Sequence, residues 1–265
     1  MSEASRAKLV TRFPAVERVE DVVAVEEPLQ IRLHGENLAV LMRTPGLDRE
    51  LVAGFLLAEG VIEGMADIRA IEPCLEGDAE NVVAVELREG CPWDPEAVRR
   101  MSLATTSCGV CGKTSIQNLL DRIGPLENPT PLPASLIKNA GDRASERQTL
   151  FRATGGIHAA ASFSLATGEI VAFAEDVGRH NAIDKVNGRA VLAGQIPLSG
   201  HALWVSGRSS FEVVQKALAA RMEGIICVGA PTSMAVELAE RCQIALVGFS
   251  KPDGRFNLYS GQVID

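Results

Sequence analysis

Cys108 and Cys111 stand with two residues between them in the stretch T-T-S-C-G-V-C-G, and a glycine follows each of them. A C-x-x-C closes a small loop, so both thiols face one small volume, where neighbouring backbone N–H groups can lower the pKa of one thiol. The thiolate is the reactive form of cysteine. The flanking glycines and hydroxyl side chains indicate an exposed loop rather than a pair of buried thiols. We therefore predict that these two cysteines carry the chemistry of the protein.

Three kinds of chemistry use such a pair. A structural zinc site needs two further ligands, but the sequence has no second C-x-x-C and no H-x-x-x-H. A thioredoxin-like dithiol follows a strand and opens a helix, whereas the stretch W-D-P-E-A-V-R-R-M before this pair has a helical pattern. The third chemistry is sulfur transfer, in which a thiolate accepts a sulfur atom as a persulfide and passes it on. Spacing alone favours sulfur transfer and leaves all three open.

Two loops with the composition of phosphate sites follow predicted strands and begin predicted helices, at 206–210 (S-G-R-S-S) and 229–233 (G-A-P-T-S). In a parallel sheet both loops emerge at the carboxyl edge, where ligands bind, and a helix N-terminus offers N–H groups to an anion. Ordinary helix capping would also explain the hydroxyl side chains. Together the loops predict an anionic ligand contacted by Gly207, Arg208 and Ser209. The run K-P-D-G-R at 251–255 adds two cations that could close over this ligand.

A further polar cluster combines His158 with the run E-D-V-G-R-H-N at 175–181. Two acids, an arginine and a histidine within six residues form the density expected of a functional site, so His158, Arg179 and His180 are candidate ligand contacts. The alternative interpretation is structural, with Asp176 as a helix cap and His180 in a surface hydrogen bond. A zinc deaminase site is not supported, because H-A-A at 158–160 lacks the glutamate of H-x-E.

The elements that must position these residues follow from hydrophobic periodicity. Alternating runs predict a hairpin between residues 20 and 44, a helix capped by Asp48 that stops at Gly60, and strands at 68–71 and 82–87. From residue 159 to 248, short apolar strands alternate with amphipathic helices, which indicates a parallel sheet covered by helices. We predict a smaller N-terminal α+β domain (15–123), a proline-rich linker (124–147) with helical pattern in part of 134–146, and a mixed α/β domain (148–265). Residues 1–14 are predicted to be a frayed terminus.

Composition limits the partners. The net charge of −8 and the pI near 5.2 argue against a general polyanion binder, and 4% aromatic residues leave few platforms for stacking nucleic-acid bases. The N-terminus lacks the apolar core of a signal peptide, and no run approaches the ~20 apolar residues of a membrane span. We predict a cytoplasmic protein that binds neither nucleic acid nor membrane. Its six cysteines are expected to be free thiols unless they bind metal or do redox chemistry.

With these residues assembled, the sequence resembles the FdhD family of sulfur carrier proteins required for formate dehydrogenase activity. The matching segments are T-S-C-G-V-C-G, T-G-G-I-H-A-A-A, E-D-V-G-R-H-N-A-I-D-K, S-G-R-S-S-F-E-V-V-Q-K-A and V-E-L-A-E-R-C. The resemblance implies a cytoplasmic sulfurtransferase that receives sulfur from a cysteine desulfurase as a persulfide. It would pass that sulfur to the molybdenum cofactor, bis-molybdopterin guanine dinucleotide, before the cofactor enters formate dehydrogenase. It also implies a homodimer and a C-terminal domain with a three-layer, cytidine-deaminase-like fold.

The resemblance further implies roles for particular residues. The persulfide-bearing cysteine of the family is the first of the pair, here Cys108, with Cys111 assisting. The family's cofactor-binding stretch matches Phe249, Ser250, Lys251, Pro252, Gly254 and Arg255, with Asp253 as an extra residue inside the family's K-P-G-R pattern. No permanent metal is implied. The alternative function is a cofactor chaperone that docks on apo-formate dehydrogenase, its cysteines gripping metal or partner without carrying sulfur.

Overall fold

The computed structural model describes residues 4–74, 81–91 and 121–265. Cys108, Cys111 and the helical pattern at 93–101 lie outside the described residues. Among the residues that are described, no helix is long and apolar enough to cross a membrane. The predicted mixed α/β class is confirmed: two main β-sheets and their helices account for most of the described chain.

The chain begins with an antiparallel pair of strands. β1 (Ser5–Arg12) and β2 (Glu17–Ala24) pair along their whole length, from Ser5 opposite Ala24 to Arg12 opposite Glu17. The prediction of a frayed terminus is therefore wrong for residues 5–12. Most side chains of this hairpin are exposed, so its sequence lacks the alternation of a half-buried strand, and the order comes from backbone hydrogen bonds.

The next unit is a four-stranded sheet with one helix. The strands are β3 (Glu27–Leu33), β4 (Glu36–Arg43), β5 (Ile68–Pro73) and β6 (Val82–Leu87), in the order β4-β3-β6-β5, with β3 and β6 parallel. A one-turn 3₁₀ helix (Met65–Asp67) precedes β5. The predicted hairpin between β3 and β4 and the strands at 68–71 and 82–87 are confirmed.

Helix α1 (Asp48–Glu59) is the element that this sheet covers, and every residue from Leu51 to Ala58 is buried. It ends where Gly60 takes a left-handed conformation (φ 72°), as predicted. The prediction for its start is off by one residue. Leu47 occupies the cap position, and Asp48 begins the helix with its carboxylate 3.0 Å from the Arg43 guanidinium.

The larger sheet has six strands in the order β13-β12-β11-β10-β8-β9. They are β8 (His158–Ser164), β9 (Ile170–Asp176), β10 (His201–Val205), β11 (Gly224–Cys227), β12 (Ala245–Gly248) and β13 (Asn257–Ser260). Only β10, β11 and β12 are parallel neighbours; the other pairings are antiparallel. The sheet is therefore mixed, and the predicted parallel order holds for its centre.

Helices cover both faces of this sheet. The apolar residues of α4 (Arg179–Leu192), α5 (Phe211–Ala219) and α6 (Ser233–Arg241) pack on the face that carries Leu203 and Val205. Helix α2 (Ala134–Ser145) packs on the opposite face, with Trp204. The remaining elements are α3 (Thr149–Thr154) and two short paired strands, β7 (Leu132–Pro133) and β14 (Val263–Ile264).

Part of the range 124–147, which was predicted to be a linker, contributes to the core. It contains α2, the helix whose pattern was recognised at 134–146, and Leu136, Ile137 and Ala140 of this helix are buried against the sheet. The prolines that suggested a linker all precede α2, and the last of them, Pro133, belongs to β7. The domain boundaries at 123 and 148 stay a prediction.

The two sheets share one hydrophobic core, because α1 packs along α4. The contact is a close approach of backbones at two glycines. A Cβ added to Gly54 would overlap the carbonyl oxygen of Asp184, and one added to Gly188 would overlap the carbonyl oxygen of Glu50. Glycine at these two positions lets helices that are buried on all sides come into direct contact.

Candidate functional site

A cavity of 660 Å³ opens where β10 and β11 of the six-stranded sheet end, between α2, α3 and the loop after β12. A volume of this size suits one nucleotide or a ligand of similar bulk. Its wall mixes apolar side chains with polar ones. The lining side chains include Lys138, Asp142, Gln148, Phe151, His158, Trp204, Ser206, Val228, Ser250 and Lys251.

His158, the first residue of β8, is held in this wall by Ser206. The Ser206 hydroxyl accepts a hydrogen bond from the Ala159 N–H (3.0 Å) and lies 3.4 Å from His158 Nδ1. Burial lowers the pKa of His158, and the nearby Arg179 lowers it further, so the ring is neutral at pH 7. A neutral ring that accepts the Ser206 hydroxyl at Nδ1 carries its proton on Nε2. His158 is then a hydrogen-bond donor in the cavity wall.

The two predicted phosphate loops lie side by side at the predicted edge of the sheet. The Gly229 N–H donates to the Gly207 carbonyl (2.9 Å), and the Thr232 N–H donates to the Ser209 carbonyl (3.0 Å). Gly207 lies against the His158 ring and thus behind the cavity wall. The Arg208 side chain is exposed, and Ser209 is fully buried; neither lines the cavity. The structure therefore separates these two residues from the predicted ligand contacts that do line it.

The loop after β12 forms the opposite rim of the cavity, as the carried-over cofactor stretch predicts in part. Ser250 is buried, and its hydroxyl donates to the Ile137 carbonyl of α2 (3.2 Å). Lys251 and Pro252 line the cavity and are exposed to solvent on their other side. Phe249, which takes a left-handed conformation (φ 53°), is partly exposed and lies outside the wall.

Asp253 engages the arginine that was predicted to hold the ligand. Its carboxylate accepts from Arg255 Nε (2.8 Å) and from the Arg255 backbone N–H (3.1 Å). The side-chain hydrogen bond from Arg255 lowers the pKa of Asp253. The extra residue in the K-P-G-R pattern thus forms an exposed ion pair with Arg255. Lys251 is left as the cation of this loop in the cavity wall.

His180, near the start of α4, bridges two residues at the start of α5. Its Nδ1 lies 3.2 Å from Glu212 Oε2, and its Nε2 lies 3.3 Å from the Ser210 hydroxyl. Burial lowers the pKa of His180 to about 3, with further contributions from the cations Arg179 and Lys216. At neutral pH the uncharged ring donates from Nδ1 to Glu212 and accepts from Ser210 at Nε2.

Serine, histidine and carboxylate in this order resemble the triad of a hydrolase. A general base works best with a pKa near the operating pH, and the pKa of His180 is held far below that. The charge of Glu212 is also shared with Lys216, whose Nζ lies 3.8 Å from Oε1. The arrangement therefore fixes Ser210 at the N-terminus of α5 and does not activate it as a nucleophile.

The acids of the run 175–181 have structural roles, which the sequence left undecided. The carboxylate of Glu175 accepts from the backbone N–H groups of Leu150 and Phe151 and so holds the start of α3 in place (2.9 and 2.8 Å). Asp176 is fully buried and pairs with Lys185 at 2.7 Å.

Residue Thr44, from the turn after β4, completes the contact that Asp176 makes. Its N–H donates to the Asp176 carboxylate (3.2 Å), and its carbonyl accepts from Lys185 Nζ (2.8 Å). The motif E-D-V-G-R-H-N-A-I-D-K thus ties the six-stranded sheet to the four-stranded one.

A second buried ion pair lies deeper along α4. Lys216 of α5 donates to both carboxylate oxygens of Asp184, at 2.9 and 2.8 Å, and both side chains are 2% exposed. Burial raises the pKa of Asp184 to about 7, although the Lys216 ammonium opposes this. The pair joins α4, which carries His180, to α5, which carries its partner Glu212.

Sequence reasoning missed half of the cavity. Lys138 and Asp142 lie in α2, inside the range assigned to a linker, and Gln148 lies just after that range. Trp204 was assigned only to a strand. The alternation within β10 was the available signal, because Trp204 sits on the face opposite Leu203 and Val205 near the carboxyl end. Within the described ranges, no group of three or more His, Cys, Asp or Glu side chains is placed to hold a metal ion.

Comparison with known proteins places the sequence among one group of relatives. The sequence model of a family described as FdhD/NarQ matches residues 24–263. A protein of Anaeromyxobacter dehalogenans (strain 2CP-C) named sulfur carrier protein FdhD is 44% identical over 254 residues, covering 91% of this chain and 88% of the relative. A protein of the same name from Mycobacterium tuberculosis (strain ATCC 25618 / H37Rv) is 44% identical over 250 residues, covering 91% and 90%.

A solved structure extends the similarity to the fold. The crystal structure of a candidate formate dehydrogenase accessory protein from Desulfotalea psychrophila matches with a TM-score of 0.74 and 26% identity. The match covers 97% of this chain and 96% of that protein. The arrangement of sheets and helices described above is thus one that a solved protein also has.

Proposed function

The chain belongs to the FdhD/NarQ family, and on that premise we propose that it is a sulfur carrier that serves formate dehydrogenase. In this proposal Cys108 receives sulfur from a cysteine desulfurase as a persulfide. The sulfur is passed to the molybdenum cofactor, bis-molybdopterin guanine dinucleotide, which is the substrate of the reaction. The names of the relatives support the role of carrier, and the cavity supports a nucleotide-bearing substrate.

The observation that carries the proposal is the convergence of two distant sequence segments on one cavity. His158 and the stretch Ser250–Pro252, which the family resemblance and the polar clusters singled out separately, line the same 660 Å³ space. A nucleotide fits the volume, its base fits the apolar wall around Phe151 and Val228, and Lys138 and Lys251 at the rim suit its phosphates. The residues present therefore fit the nucleotide end of the substrate.

The pKa values of three other cysteines argue against those residues as the sulfur-carrying thiol. Burial raises the pKa of Cys227 to about 12, and it also raises the pKa values of Cys91 and Cys242. These three thiols stay protonated at neutral pH, whereas a sulfur carrier reacts as a thiolate. Of the cysteines that remain, Cys108 and Cys111 are the two that form a C-x-x-C pair.

The proposed transfer has a balanced chemical sequence. The Cys108 thiolate attacks the outer sulfur of the desulfurase persulfide, an S–S bond forms, and the desulfurase cysteine leaves as a thiolate. Delivery of that sulfur as sulfide requires two electrons. The Cys111 thiolate supplies them by attacking Cys108 sulfur, which releases hydrosulfide and leaves a Cys108–Cys111 disulfide. A thiol reductant then restores both thiols.

Intact mass spectrometry tests the carrier role directly. The purified protein is incubated with a cysteine desulfurase and cysteine, and the gain of one sulfur atom is measured. We expect Cys108→Ser to gain none, Cys111→Ser to gain sulfur but release no sulfide, and the matched control Cys74→Ser to behave as the parent. A Cys108→Ser protein that gains sulfur as readily as the parent would refute the assignment.

The same variants separate the carrier from a chaperone. If the protein only binds and delivers the cofactor, Cys108→Ser should still activate formate dehydrogenase in a reconstituted assay. A carrier requires the thiol, so we expect that variant to be inactive while retaining its affinity for a guanine nucleotide. Loss of both properties would indicate a folding defect, which a thermal melt of the variant detects.

A further inference from the structure

Arg179, the first residue of α4, carries a charge that no described residue balances. Its guanidinium makes no hydrogen bond and no ion pair with any residue that the structure describes, and its Nε is buried without a partner. The side chain as a whole is partly exposed, and its two terminal nitrogens keep contact with solvent. A guanidinium is always protonated and offers five N–H donors. A partly buried cation with unused donors is unfavourable until an anion pairs with it.

The acids that accompany Arg179 are engaged elsewhere. Glu175 accepts from two backbone N–H groups at the start of α3, and Asp176 is fully buried in its ion pair below the sheet edge. Glu212 contacts His180, the residue that follows Arg179. In a chain with a net charge of −8, an arginine left unpaired beside three partnered acids indicates a position that is kept open for an external anion.

Two helices begin beside this guanidinium without a side-chain cap. Helix α4 follows Gly178 and has no acid in its first turn. Helix α5 follows Ser210, whose hydroxyl lies 3.3 Å from His180 Nε2 and does not cap the helix. A Cβ on Gly207, in the loop before α5, would lie 3.8 Å from Arg179 Cδ, so this loop packs against the arginine. The free N–H groups of a helix N-terminus favour anions.

We propose that Arg179 is the centre of a second binding site, for a tetrahedral oxyanion such as phosphate or sulfate. Arg179 does not line the 660 Å³ cavity, although its neighbour His158 does, so the site lies behind the cavity wall. The guanidinium fork can donate two parallel hydrogen bonds to an oxyanion, and the starts of α4 and α5 add a favourable potential. The inference goes beyond the sulfur-carrier role and does not depend on it.

The test uses inorganic phosphate and sulfate as probes, with chloride keeping the ionic strength constant. The affinity is obtained from the rise in the melting temperature of the full chain with anion concentration. We expect Arg179→Gln to bind phosphate at least about tenfold more weakly than the parent, because the charge and the fork are lost. Arg179→Lys keeps the charge without the fork and should fall between the two. The matched control Arg69→Gln, at an exposed arginine of β5, should bind phosphate like the parent.

NMR locates the bound anion. In ¹⁵N-labelled protein, the Nε–H resonance of Arg179 should shift saturably with phosphate and with sulfate. The charge of Arg179 contributes to the lowered pKa of His158, so an anion that neutralises this charge should raise that pKa. In Arg179→Gln the pKa of His158 should no longer respond to phosphate. Saturating GDP should leave the phosphate affinity unchanged, because the cavity and the site are separate.

Three results would overturn the inference. The first is an Arg179→Gln protein that keeps the phosphate affinity of the parent. The second is competition between GDP and phosphate, which would show that the phosphate group of a cavity ligand reaches Arg179. The third is a large fall in the melting temperature of Arg179→Gln without phosphate. It would mean that the guanidinium has a structural partner, whereas an unpaired cation can be removed without loss of stability.

Discussion

Lowering the pH from 7 to 5 should destabilise the folded protein through His180, and the size of the effect follows from its surroundings. The pKa of this histidine is near 6.5 in an unfolded chain and about 3 in the folded protein. As the pH falls, the unfolded state therefore binds the proton first. The stabilisation that the neutral ring provides is complete above pH 6.5 and is lost progressively as the pH falls towards 3.

At pH 5, about 1.5 pH units below the unfolded pKa, this one residue should lower the free energy of unfolding by about 2 kcal/mol. Urea unfolding of the parent and of His180→Gln at pH 7, 6 and 5 measures it. Other groups also titrate in this range, so the quantity of interest is the difference between the two proteins. We expect the variant to lose about 2 kcal/mol less than the parent between pH 7 and pH 5.

An NMR titration of the imidazole gives an independent check, since His180 should show no protonation between pH 7 and pH 5. Equal pH dependence of the two proteins, together with an imidazole that titrates near 6.5, would refute the reasoning. It would mean that Glu212, at 3.2 Å, stabilises the imidazolium as much as burial and the two cations oppose it. A role for His180 as a proton acceptor would then have to be reconsidered.

Three further predictions test the framework and the rim of the site. Gly188→Ala should lower the free energy of unfolding in chemical denaturation by about 3 kcal/mol, because its Cβ would overlap a carbonyl oxygen of α1. The control Gly141→Ala in α2, which has open space at its Cβ, should raise the free energy of unfolding by about 0.5–1 kcal/mol. Lys185→Met should lower the free energy of unfolding by about 3–5 kcal/mol, because it removes the cation that pairs with the buried Asp176 carboxylate. Adding Asp176→Asn should recover part of that loss in the same assay. Lys251→Glu should weaken GDP binding about tenfold in calorimetry and reduce its dependence on salt, and an unchanged affinity would exclude Lys251 from the phosphate contact.

Local pattern was sufficient for the elements that bury one face. The hairpin of β3 and β4, helix α1 and the strands and helices after residue 159 follow from periodicity and from Gly60. Strand β1 could not be recognised, because an exposed hairpin has no buried face to impose alternation. The helical pattern of α2 was recognised from its spacing, but the prolines before it led to the assignment of the whole range as a linker.

The site shows the same division between local and long-range information. The family resemblance and the glycine-rich runs pointed to His158 and to Ser250–Pro252, which do meet at the cavity. The partners of Asp176 could not be foreseen, because Thr44 is 132 residues away in sequence. Whether a buried indole N–H finds an acceptor likewise depends on the tertiary packing around Trp204, which no local pattern encodes.

The glycine contact between α1 and α4 also limits how the chain can be divided. Helix α1 gives one side to the four-stranded sheet and the other to α4, so a fragment that ends before residue 148 would expose an apolar helix surface to water. The complementary fragment would lose the same cover from α4. Expressed separately, each piece should be poorly soluble, and expressed together they should reassociate through the glycine contact. The protein is thus better suited to a split-protein reporter than to work on isolated domains.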